Sequence, residues 1–150
     1  MAVVKPETEW PAYEVKARRI EDLKTYDRNA RTHSAEQIDQ IAASIDEFGW
    51  TNPALVDVSA GNLIVAGHGR RLAALKIYER GDRIRLVDGR KLPFGMIPTI
   101  DCSGWSDDQR RAYVLADNQL AENAGWDMDL LRSELAGLND AGFELSLIGF

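Results

Sequence analysis

The residues best suited to chemistry in this chain are consecutive. They are Gly67, His68, Gly69, Arg70 and Arg71, within the string GNLIVAGHGRRLAALK of residues 61–76. Two glycines let the backbone approach a ligand closely. Two arginines supply forked, charged donors that match phosphate. The elements that must hold them are legible on either side. Gly61-Asn62 is a turn signal, and Leu63, Ile64 and Val65 form a short apolar run suited to a buried strand. From Leu72 the pattern is helical, with Leu72, Ala73, Leu75, Lys76 and Ile77. The string therefore predicts strand, tight glycine turn, helix. A helix start offers unpaired N–H groups and the positive end of the macrodipole, so the turn predicts an anion site, most naturally for phosphate. It is neither a P-loop nor a dinucleotide fingerprint: no Gly-Lys-Ser/Thr ending follows, and no third glycine stands three residues after Gly69.

Composition bounds the rest. At 150 residues, one domain with a real core is expected. A single cysteine, Cys102, excludes an internal disulfide framework and a multi-cysteine metal site. The only histidines are His33 and His68, which argues against zinc. No apolar signal core and no run of membrane-spanning length is present, so a cytoplasmic protein with no membrane partner is expected. The net charge of −6 opposes non-specific nucleic-acid binding. The charge is uneven: residues 70–91 carry eight Lys/Arg against three acids, and residues 101–150 carry three against ten. This suggests one anion-facing surface on an acidic body, against the plainer reading, which the usual behaviour of exposed charge favours, that Arg80, Arg83, Arg85, Arg90 and Lys91 merely solvate a loop.

In chain order, residues 1–12 read as a flexible arm and Tyr13 to Ile20 as a short strand. A polar loop from Leu23 to Thr32 follows, containing Arg28 and Arg31. Ser34 with Gln37 forms a capping-box pattern ahead of a helix over 34–48, which Gly49 ends. Ala54 to Val58 is a strand that pairs as a hairpin with the strand before Gly67. The helix after the turn ends near Tyr78. Around Asp88-Gly89 a small hairpin is possible, and Ile97 to Cys102 is a strand. Ser106 caps a helix whose stripe of Ala112, Tyr113, Leu115, Ala116 and Leu120 should be buried. Asp127 opens a last helix with a stripe of Leu130, Leu131, Leu135 and Leu138, ended by Gly142. The closing FELSLIGF is apolar enough to expect continuation into a further domain beyond Phe150, and it leaves room for a homodimer.

The string from Leu23 through Ala74, with NART, SIDEFG, NPALV, IVAG and GRRLAA in that order, resembles the ParB/sulfiredoxin superfamily. More closely, it resembles the ParB-like domain of phage and prophage proteins associated with DNA methyltransferases. That likeness extends through ADNQLAENAGWD to the closing GF, over roughly residues 13–150. The resemblance implies an α+β fold, a small mixed sheet flanked by helices. It comprises a core over about 13–104 and C-terminal helices over 105–142. It also implies a nucleotide phosphate at the glycine turn, with CTP or ATP and Mg2+ as the ligand, and DNA reached through another domain or partner.

In ParB partition proteins the matching segment is Gly-Glu-Arg-Arg. Gly67 and Arg70 match its ends, while His68 and Gly69 depart from it. A second motif of that family corresponds to Asp117 and Asn118, with Ala121 where its Arg falls. Asp117 and Asn118 would reach magnesium or phosphate, and Arg31 would lie near the pocket. The departures count against CTP hydrolysis. Sulfiredoxin places its reactive cysteine where His68 stands, so sulfinic-acid reduction is not expected, and Cys102 reads as a buried small apolar residue. Beside a phosphate, His68 can bind it, exchange a proton or accept a phosphoryl group, with Asp117 as the candidate partner.

Two functional classes remain. One is a nucleotide- or phosphate-binding module of a DNA-associated protein. The other is an enzyme: a nuclease, NTPase or small-molecule kinase. The absence of clustered carboxylates for two metals favours the first. The acidity of the last two helices argues against a DNA-reading pair in this chain.

Overall fold

A hairpin delivers the chain to the glycine turn. It consists of β2 (Ala54–Asp57) and β3 (Leu63–Ala66), paired antiparallel. Between them Gly61 and Asn62 both adopt positive φ, 74° and 60°, a conformation open to glycine and tolerated by asparagine. The computed structural model describes residues 14–27, 29 and 31–150. The expected arm over 1–12, Tyr13 and Arg28 lie outside the described residues.

Two further strands, β1 (Val15–Arg19) and β4 (Met96–Asp101), complete a four-stranded mixed sheet in the order β1-β4-β2-β3. β4 runs antiparallel to β1 and parallel to β2. This is the α+β class expected. β1 is an edge strand rich in basic residues, a composition that discourages pairing with other chains. Its Arg18 Nε donates to Thr99 Oγ1 at 3.1 Å, and that hydroxyl donates to the Lys16 carbonyl at 2.7 Å, so the buried Thr99 is satisfied.

The helices are α1 (Ala35–Phe48), α2 (His68–Glu79), α3 (Asp107–Glu122) and α4 (Met128–Asp140). α1 and α2 pack on each other. Ile38, Ala42 and Ile45 of α1 join Ala73, Ala74 and Ile77 of α2 in one core with Val56, Ile64 and Ile97 of the sheet. The alanines of α2 let the two helices approach closely, and all four residues of β3 are buried.

Several expectations are corrected. α2 begins at His68 rather than near Leu72, so His68 and Gly69 belong to its first turn and Gly67 alone makes the bend. The capping box of α1 is only half formed. Ser34 Oγ accepts from the Gln37 N–H at 3.1 Å, but Gln37 Oε1 pairs with His33 Nδ1 at 3.0 Å. On α3 the expected stripe is not buried: Leu115 is 58% and Leu120 69% exposed, and only Val114 is buried. On α4, Leu130 is likewise exposed and no residue is fully buried. Helical periodicity marks an apolar face without saying what covers it. Cys102 is half-buried rather than buried.

The apolar tail folds as a short 3-10 turn over Leu145–Ile148 that packs against α1, with Phe143 stacked on Phe48 at 6.2 Å. The cationic stretch after α2 is largely bound within the molecule and does not form an open anion surface. Arg80 bridges Asp46 and Asp82, and Arg85 caps the Asp46 and Glu47 carbonyls at the end of α1. Arg83 holds the Lys91 and Leu92 carbonyls, and Arg90 pairs with Asp88. The end of α1 carries unpaired carbonyls and partial negative charge, which recruits Arg85.

Candidate functional site

The bend at Gly67 has φ 98°. A β-carbon there would lie 3.1 Å from both Ala54 Cβ and Arg70 Nη2. The position therefore excludes a side chain twice over, by backbone conformation and by space. The same distance places the Arg70 guanidinium over the bend, beside the N-terminal amides of α2. Gly69 is buried, and a β-carbon on it would meet His33 Cε1 at 2.9 Å and Ile41 Cδ1 at 3.0 Å.

A cleft of about 150 Å³ opens at this corner. It is lined by Gly67, His68, Gly69, Arg70, Arg31, Asp117 and Asn118 among others. Seven of the eight sequence-predicted site residues thus meet at one place, although they come from a loop, a helix start and the middle of a second helix. Arg71 does not line the cleft. Each helical residue turns about 100° from the last, which carries Arg71 to the adjoining face. The sequence reading missed His33, which also lines the cleft. Its signal was available, since it is one of only two histidines and directly precedes the helix cap.

Other contacts fix the walls. The backbone of Lys24 bonds Asn62 and Ile64 on the edge of β3, which leads the loop past the sheet toward Arg31 and His33. Arg31 forms an ion pair with Glu122 at the far end of α3. Asn118 Nδ2 donates to its own helix at the Val114 carbonyl, 2.8 Å, leaving its side-chain oxygen for other partners. Asp117 accepts from the Tyr113 hydroxyl at 3.4 Å. Among the described residues no group of three or more His, Cys, Asp or Glu side chains is arranged to hold a metal ion.

The electrostatics single out Arg70 and His68. Arg70 Nε, Arg71 Nε and His68 Nε2 are buried without a hydrogen-bond partner among the described residues. Burial lowers the Arg70 guanidinium from its ordinary value, against the attraction of Asp117, yet an arginine stays charged at neutral pH. A desolvated cation lacking a partner gains more from an incoming anion than a solvated one does. Burial also lowers the His68 imidazole, helped by the charges of His33 and Arg71. The Ile64 backbone and Asp117 oppose the shift. His68 is accordingly neutral near pH 7 and able to accept a proton.

Comparison with known proteins gives the family and the fold. The chain is 39% identical to the ParB-like nuclease domain-containing protein YnaK of Escherichia coli K12, over 94 residues that make up 63% of this chain and 88% of that protein. The chain belongs to the ParB-like domain family. No family model matches it. The fold of this ParB-like domain also matches the C-terminally truncated chromosome-partitioning protein ParB of Caulobacter crescentus, solved in complex with CTP-gamma-S. The TM-score is 0.62 at 19% identity, covering 90% of this chain and 68% of that one. Among the described residues of the ParB-like domain, no helix is long and apolar enough to cross a membrane.

Proposed function

We propose that this ParB-like domain binds a nucleotide by its phosphates at the mouth of α2, as a module of a DNA-associated protein. One observation carries the reading. The Arg70 guanidinium stands over the Gly67 bend with its Nε buried and unpartnered among the described residues and Asp117 acting on it only at a distance, whereas Arg80, Arg85, Arg90 and Arg110 are all held by acids or carbonyls. Amide donors, a helix dipole and an unpaired guanidinium converge where a phosphate would sit. The CTP analogue carried by the Caulobacter ParB structure supports the choice of a nucleotide. The cleft itself suits phosphates and is small for a whole nucleotide. Arg70 and Ile41 also border a groove of about 390 Å³ between α1 and the C-terminal tail, into which a nucleoside would extend. DNA recognition is assigned to another domain or partner, in a partition-like or DNA-modifying protein of phage or prophage type.

The test is isothermal titration with CTP, ATP and GTP, each with and without Mg2+. At least one nucleotide should bind, and Arg70→Ala should weaken it by roughly tenfold or more. No heat from any nucleotide at concentrations near millimolar overturns the proposal.

A second reading rests on His68. A half-buried, neutral imidazole shares the cleft with Asp117, an arrangement suited to proton transfer. For nuclease action, plasmid DNA with a divalent metal should be nicked, and His68→Ala or Asp117→Ala should abolish the nicking. Nicking that survives both changes excludes this site as its source.

A further inference from the structure

Building on the reading of the cleft as a phosphate site, we propose that His33 is a further phosphate contact, oriented by Gln37, whose protonation tightens binding. The chain has two histidines, 35 positions apart, and the fold brings both to this one cleft. The His33 ring lies on the first turn of α2, since a β-carbon at Gly69 would sit 2.9 Å from its Cε1 and 3.1 Å from its Nδ1.

The pairing with Gln37 sets His33 apart from an ordinary residue before a helix. The same Ser-x-x-Gln sequence opens α3, where Gln109 Oε1 accepts from the Ser106 N–H at 2.9 Å and completes the capping box. In α1 that second bond is forgone, and Gln37 Oε1 accepts from His33 Nδ1 at 3.0 Å. A local rule followed at one helix and broken at another marks a side chain that is being oriented. With Nδ1 carrying a hydrogen to Gln37, Nε2 is the nitrogen left for a ligand. It accepts in the neutral ring and, once protonated, donates a charge-assisted bond to a phosphate oxygen.

The charged and titratable groups that share the cleft with the ring are Arg31 from the preceding loop, itself ion-paired with Glu122, His68 and Arg70 from α2, and Asp117 from α3. α1 adds the uncharged Gln37 and Ile41. A phosphate bound in the cleft would be shared between the ring and the Arg70 guanidinium.

Titration of inorganic pyrophosphate and of CTP with Mg2+ between pH 6 and 8, on wild type, H33Q, Q37L and R70A, tests this. Near pH 6, H33Q should bind on the order of tenfold more weakly than wild type, with the gap narrowing toward pH 8 and Q37L intermediate. The ligand's own proton equilibria are common to every variant and cancel in the comparison. In wild-type protein, ligand should move the ring resonances of His33 in NMR spectra at pH 6, and R70A should abolish that change, a response that a histidine serving only the fold would not show. That measurement decides the matter should either variant fail to fold. H33Q tracking wild type at every pH while R70A loses binding overturns the role of His33 and leaves the phosphate site standing. No binding by wild type overturns both.

Discussion

Arg110 Nη1 lies 2.7 Å from Asp57 Oδ2, and this ion pair fastens α3 to the end of β2. Asp57 is fully buried, and the Arg110 side chain is 15% exposed. The other carboxylate oxygen accepts from Ser59 Oγ at 2.5 Å and the Ala60 N–H at 3.1 Å. The second arm of Arg110 holds Asp107 in the first turn of α3. Asp117 and Asn118 lie further along that helix, so the pair sets where one wall of the cleft stands.

Arg110→Met strands a buried carboxylate and should cost on the order of 3 kcal/mol in urea unfolding at pH 7. The loss has a pH dependence. Burial alone would raise the Asp57 carboxyl, but hydrogen bonds from Ser59, Arg110 and the Ala60 amide outweigh it and hold the group below its ordinary value of 3.8. Its contribution is therefore complete above that ordinary value and is lost as pH falls through the lower folded value. Asp57→Asn should flatten this acid-side loss of stability. An Arg110→Met cost that does not shrink in acid contradicts the assignment.

Gly67→Ala should both destabilise the fold and impair phosphate binding. The strained φ and the contacts at 3.1 Å to Ala54 and Arg70 act together, for a cost of about 1–3 kcal/mol. Thermal unfolding measures the first effect. Titration with CTP and Mg2+ at a temperature where the variant is folded measures the second.

Cys102 should be a sluggish nucleophile. Burial, and then the nearby Asp57 and Asp101 carboxylates, push its thiol up to about 11. Alkylation by iodoacetamide at pH 7.5 should be slower than that of a free thiol and should climb steeply with pH, because the thiolate is the reactive form. Asp57→Asn removes one of the opposing charges and should speed the reaction.

Substitutions on α3 should separate an exposed apolar stripe from a true core. Leu120→Glu should cost less than about 0.5 kcal/mol, as a surface change does. Ile97→Ala, at a fully buried position between β1 and β2, should cost roughly 2–5 kcal/mol. Equal losses in chemical denaturation would show that the α3 stripe is covered in solution.

The local grammar of the sequence settled the elements. Ser34, Ser106 and Asp127 each accept backbone N–H groups at the helix starts expected of them. The Gly61-Asn62 turn and the bend at Gly67 needed no knowledge of distant residues, because positive φ and capping are properties of a few neighbouring positions. Which face meets which partner depends on contacts between residues far apart in sequence. Leu115 and Leu130 look like core residues to a helical period, yet α3 and α4 present them outward. Asp57 in an apolar strand gave no hint of Arg110, 53 positions away, and the loop arginines gave no hint that the end of α1 would bind Arg85. The sequence by itself determined the strand and the bend that present Arg70 to an anion, while the helix it placed from Leu72 begins at His68. Only tertiary packing decided that His33 from one side and Asp117 from the other close around that bend, since burial and pairing are shared properties of surfaces that the chain order does not bring together.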